Sequence, residues 1–163
     1  MPIADPNLLW FLPFTVPIAI WVAWSDMKFM KIPNKSVIAL AAVYLVIGLF
    51  VFPLKVYGWG WALFGIVLLI GIIVSALRMV GAGDAKFAAA MAPFFATADI
   101  RLVFALFAAC LLGALASHRL AKRIPAFRGA TPDWVSWTDA KFPMGLALSG
   151  TLIFYPLLDA WLA

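Results

Sequence analysis

Six apolar runs, at residues 8–24, 37–52, 59–79, 86–97, 102–117 and 142–162, follow one another with short polar, proline- or glycine-bearing breaks between them. A helix of about 20 apolar residues crosses roughly 30 Å of hydrocarbon. Inside lipid a helix also satisfies its own backbone hydrogen bonds, which few other structures can do. The pattern therefore predicts an all-α, polytopic membrane protein with about six transmembrane helices. Charged residues make up 12 % of the chain and hydrophobic ones 66 %, whereas a soluble domain carries roughly 25 % charge. Six spans use up most of the 163 residues, so 1–163 is expected to form one membrane-embedded domain. The fourth run is short for a crossing, and its alanines (Ala85, Ala88, Ala89, Ala90, Ala92) suit close approach to neighbouring helices. The first run has no basic stretch ahead of it and is expected to stay as a permanent helix.

Basic residues orient the bundle. With the N-terminus outside, every lysine and arginine except Lys55 and Arg101 falls in an inner connection, a strong positive-inside bias. The net charge of +5 is then explained by anionic lipid headgroups and calls for no nucleic acid. Trp10, Trp24, Trp59, Trp61, Trp134, Trp137 and Trp161 fall near span ends, where an amphipathic ring prefers the interface. The basic segment 118–141 is expected to lie on the headgroups or to help admit substrate.

Little else in the chain is suited to chemistry. The single cysteine, Cys110, excludes an intrachain disulfide and a cysteine zinc site and reads as a small buried hydrophobe. The single histidine, His118, stands beside Arg119 at a helix end and reads as a solvated interfacial residue. No metal site and no cofactor are expected. Six serines occur, none in a nucleophile motif with a histidine base. All seven acids are aspartates, and Asp5, Asp99, Asp133, Asp139 and Asp159 read as solvated loop or helix-end residues.

Asp26 and Asp84 differ from these five. Asp26 closes the first span and Asp84 precedes the fourth, so an in–out–in path returns both to the cytoplasmic boundary. Two carboxyls held close share a proton, and one can activate water while the other polarises a carbonyl. Simpler readings stand beside this one. Asp84 follows Gly81 and Gly83, which can take φ > 0 and admit a close backbone, and it would make a good helix N-cap. Asp26 leads into a Pro33–Asn34 turn that could be plain loop chemistry. Lys86 could tune the pair, contact substrate or snorkel to the interface.

Gly81-Ala82-Gly83-Asp84 with Lys86 resembles the GxGDxK signature of type IV prepilin peptidases. Asp26 followed by Ile32-Pro33-Asn34 resembles that family's first aspartate motif, in particular that of its short Flp/Tad-type members. Phe142-Pro143-Met144-Gly145 is similar to a Pro/Gly element near the last span. The resemblance implies a membrane aspartic endopeptidase of the bacterial inner (cytoplasmic) membrane, with Asp26 and Asp84 as the catalytic pair. Its substrates would be prepilins or pseudopilins, which carry a short basic leader ahead of a membrane segment, and its partners a pilus or secretion assembly machinery. Larger members add a cysteine-bearing cytoplasmic domain and methylate the new N-terminus. This chain lacks those cysteines, so peptidase activity without methyltransferase activity is expected. A non-enzymatic assembly subunit, or a small cation-coupled transporter, is the alternative.

Overall fold

The computed structural model describes residues 6–162. Asp5, expected on the outer side, lies outside the described residues. A 3-10 segment, Pro6–Phe11, leads into α1 (Leu12–Phe29), followed by α2 (Asn34–Val51), α3 (Leu54–Ala76), α4 (Ala82–Met91), α5 (Ile100–Arg123), α6 (Pro125–Ala130) and α7 (Met144–Leu162). Among the described residues there is no strand. Among these residues five helices are long and apolar enough to cross a membrane: α1 with the turn before it, α2, α3, α5 and α7.

The fourth apolar run is the exception. Its α-helix has 10 residues, about 15 Å of rise against the ~30 Å of a bilayer core. Pro93, which lacks an N–H, ends the regular helix and turns Ala92–Phe95 into a 3-10 segment. The run fills the interior on its way from the Asp84 end to the Phe94 end of the bundle. Phe87, Ala89 and Ala90 are fully buried, with α3, α2 and α7 packed around α4. A Cβ added to Gly71 of α3 would lie 3.0 Å from the Ala85 Cβ, so the alanines serve the close approach expected of them.

α7 packs between α1 and α5 and buries Gly145, Ala147, Leu148, Ser149, Thr151, Leu152 and Tyr155. α3 and α5 bury little of their surface within the protein and turn apolar side chains outward, as lipid-facing helices do. At the end away from Asp26, Phe11, Tyr44, Phe52, Tyr57, Trp61 and Phe94 form one aromatic cluster. Tyr44 donates its hydroxyl to the Tyr57 carbonyl at 3.2 Å.

The segment before α7 keeps its basic residues exposed around a small aromatic core. Trp137 is buried, stacks on Trp134 at 5.6 Å and on His118 at 5.3 Å, and donates its Nε1–H to the Thr131 carbonyl at 2.8 Å. His118 is therefore not the solvated residue expected from its basic neighbour. It is 8 % exposed and sandwiched against Trp137 and Phe142. Asp99 caps α5, accepting the Arg101 N–H at 2.8 Å.

Candidate active site

Three chain turns meet at one end of the bundle. The first closes α1. The helix runs past Asp26 to Phe29 before Met30 takes the left-handed conformation (φ 51°) and returns its N–H to the Asp26 carbonyl. Pro33 then disfavours further helix in the residue before it. The Ser25 hydroxyl donates to the Lys31 carbonyl at 2.9 Å and that of Ser36 to the Pro33 carbonyl at 2.7 Å, which pins the turn from both sides. Asp26 thus sits in the last turns of α1, not beyond them, and is buried.

The second turn joins α3 to α4. Arg78 is left-handed (φ 59°), with its N–H on the Ser75 carbonyl and the Met79 N–H on the Val74 carbonyl. That pattern closes a helix in the way a Schellman motif does, with arginine where glycine is usual. Gly81 is the N-cap of α4, with extended backbone (φ −65°, ψ 141°). No glycine among the described residues has positive φ, so the expectation of φ > 0 at Gly81 and Gly83 does not hold. What these glycines supply is room. A Cβ on Gly81 would stand 2.6 Å from the Asp84 Oδ2, and one on Gly83 would stand 3.3 Å from the Ile32 Cβ. Asp84 is the third helical residue rather than the N-cap, and its carboxylate turns back to the Gly81 N–H, half of a capping box.

These two turns dock on each other. Ile32 is buried against Gly83, and the Lys86 Nζ donates to the Asn34 Oδ1 at 3.4 Å. Lys86 therefore reaches across to the first turn of α2, and its one hydrogen bond there is with Asn34. Pro33 contributes the bend between them.

The third turn starts α7. Its Gly145 N–H donates to the Asp26 Oδ2 at 2.7 Å, inside the protein. The sequence marks Phe142-Pro143-Met144-Gly145 as the start of the last span, yet carries no signal that this N–H meets Asp26, because the contact joins positions at opposite ends of the chain.

Asp26 and Asp84 together line two overlapping cavities, of about 670 and 270 Å³. Arg78, Asp139, Lys141 and Phe142 line the larger one with them, and Lys31 the smaller. Asp139, expected to be solvated in its loop, thus faces the same space. Asp84 lies outside the five long helices. Burial, and then the nearby charge of Asp26, push its carboxyl up to about 6, against the lowering pull of the Gly81 N–H. Among the described residues no set of three His, Cys, Asp or Glu side chains could hold a metal ion.

The model of the type IV leader peptidase family matches residues 13–117. The chain belongs to that family. The matched stretch contains Asp26, the Ile32–Asn34 turn and the Gly81–Lys86 segment, while α7 with Gly145 follows it. No curated protein and no solved structure matches the chain. This member of the leader peptidase family is thus built on apolar helices long enough to span a bilayer, with both boundary aspartates in one cavity.

Proposed function

We propose that the chain is an aspartic endopeptidase that removes the short basic leader from prepilins or pseudopilins at the cytoplasmic face of a bacterial inner membrane. Asp26 and Asp84 are its catalytic pair. The observation that carries this reading is their convergence: residues from the end of α1 and the start of α4 line one cavity, close enough for the charge of one to act on the other. Two carboxyls so placed hold one proton between them. One takes a proton from a water molecule as it attacks the scissile carbonyl, and the other donates to the carbonyl oxygen. Lys86 and Asn34, with Ile32 packed on Gly83, hold the two turns in register. The concentration of basic residues at this end supports the cytoplasmic orientation. The substrate reaches the enzyme as a membrane protein, alongside the machinery that assembles it into a pilus or secretion apparatus.

The test is cleavage of a synthetic prepilin peptide by the purified protein in detergent, with the product ends read by mass spectrometry. Asp26→Ala and Asp84→Ala, each alone, are expected to lower the rate by about 10³-fold or more, in the range removal of a proton-transfer group gives. Asparagine at either position is expected to fail as well, since it cannot exchange the shared proton. The new N-terminus is expected to be unmethylated when a methyl donor is added. Processing retained by either alanine variant would overturn the assignment. Intact substrate with the wild-type protein would favour an assembly subunit.

A further inference from the structure

The first N–H groups of any helix have no partner within it. In α7, one of these orphan donors, from Gly145, is spent on the Oδ2 of Asp26 at 2.7 Å, and a carboxylate that accepts such a bond is favoured in its ionised form. The close approach depends on the residue being glycine. A Cβ there would stand 2.9 Å from both the Cβ and the Oδ2 of Asp26, a separation real side chains do not adopt. The N-terminal end of a helix of 19 residues also carries partial positive charge toward that carboxylate.

Asp84 is held differently. Its backbone partner is Gly81 of its own helix turn, and it is only partly buried. We propose that Gly145 is the positioning residue that makes Asp26 the base of the pair and leaves Asp84 the proton donor, an assignment resting on the aspartic reading above. The charged groups that share the cavities with Asp26 are Lys31, Arg78, Asp84, Asp139 and Lys141. None of these makes a hydrogen bond to it of the kind Gly145 does.

In this assignment the water oxygen bonds to the scissile carbon while its proton passes to Asp26. The carbonyl oxygen takes the proton of Asp84, giving a neutral diol. On collapse the C–N bond breaks. Asp26 returns its proton to the departing nitrogen, and Asp84 recovers one from a diol hydroxyl, which restores both groups.

Replacing the amide between Met144 and Gly145 by an ester removes the N–H and adds no bulk. A base that loses this donor holds its proton more tightly, so the acid limb of the kcat/KM profile is expected to move up by roughly one pH unit with the alkaline limb in place. Were Asp26 the donor of the proton, the alkaline limb would move up instead, and the assignment would be overturned. An unmoved profile would overturn it too. Gly145→Ala, which displaces Asp26, is expected to lower kcat about 10- to 100-fold and change KM less than about threefold. A raised KM at unchanged kcat would count against a positioning role. The unaltered protein gives an independent check through carboxyl carbon-13 titration, in which Asp26 is expected to ionise at lower pH than Asp84. The reverse order sinks the proposal. Activity that survives Asp26→Ala would remove the aspartic reading itself, whereas dead aspartate variants with an unmoved acid limb would remove this inference alone.

Discussion

Asp84 occupies a position that costs the fold something. Its carboxyl, ordinarily near 3.8, is raised to about 6 by burial and by Asp26, so the folded state favours the protonated form. Stability from this group is complete below the unfolded value near 4 and is lost as pH rises through about 6. Asp84→Asn, neutral at every pH, is therefore expected to melt at a higher temperature than the wild type above pH 6. The difference should fade toward pH 4. Thermal unfolding in detergent across that range checks it, and a variant no more stable at pH 8 than at pH 4, relative to wild type, would contradict the sign. Enzymes often hold such destabilised groups where chemistry needs them. At this scale the sequence marked the two aspartates that share the cavity, and half of its reason for the glycines holds: Gly83 admits the Ile32 backbone, but neither glycine takes a positive φ. Composition shows that a residue has no side chain. Whether that serves a positive φ or the oxygen of a neighbouring Asp84 depends on what stands opposite.

Each apolar run holds one α-helix, in order, but the helices depart from the runs in extent. α1 continues beyond its last tryptophan to Phe29, and α3 begins at Leu54, ahead of Trp59. Hydropathy reports where lipid is tolerated, while a helix ends where a cap or proline stops it. The pairing of α2 with α3 offers a controlled comparison. A Cβ on Gly60 would overlap the Tyr44 hydroxyl, whereas one on Gly58, two residues away in the same helix, meets nothing within 4 Å. Gly60→Ala is expected to cost about 1–3 kcal/mol through overpacking. Gly58→Ala should be neutral or gain up to about 1 kcal/mol from helix propensity. Unfolding in mixed detergent micelles measures both, and equal losses would show that the Tyr44 cluster does not govern this contact.

For the whole molecule the positive-inside bias makes a topological prediction. In a Cys110→Ala background, Lys31→Cys is expected to react with a membrane-impermeant maleimide only in inside-out vesicles. Lys55→Cys should react only in right-side-out ones. Both positions are exposed at the surface. Labelling of the two from the same side would contradict a bundle arranged with the aspartate end inward. The segment before α7 belongs to this scale as well. Its charges stay exposed, while the rings of Trp134, Trp137, His118 and Phe142 pack on one another, since stacked aromatics bury more area together than each would alone. That folding places Asp139, Lys141 and Phe142 on the wall of the aspartate cavity.

The order of apolar runs determined by itself that this chain is a bundle of membrane-length helices, because the backbone in lipid has few other solutions. The two short motifs determined which acids and which turns to watch, because proline, glycine and aspartate act locally on the chain. Only the tertiary structure decided that the fourth run packs inside the bundle as a 10-residue helix followed by a 3-10 turn, that Lys86 reaches Asn34, and that Asp26 rests on the Gly145 N–H. Each of these joins residues far apart in sequence through packing distances of a few ångströms, and a linear pattern carries no term for what lies across a helix interface.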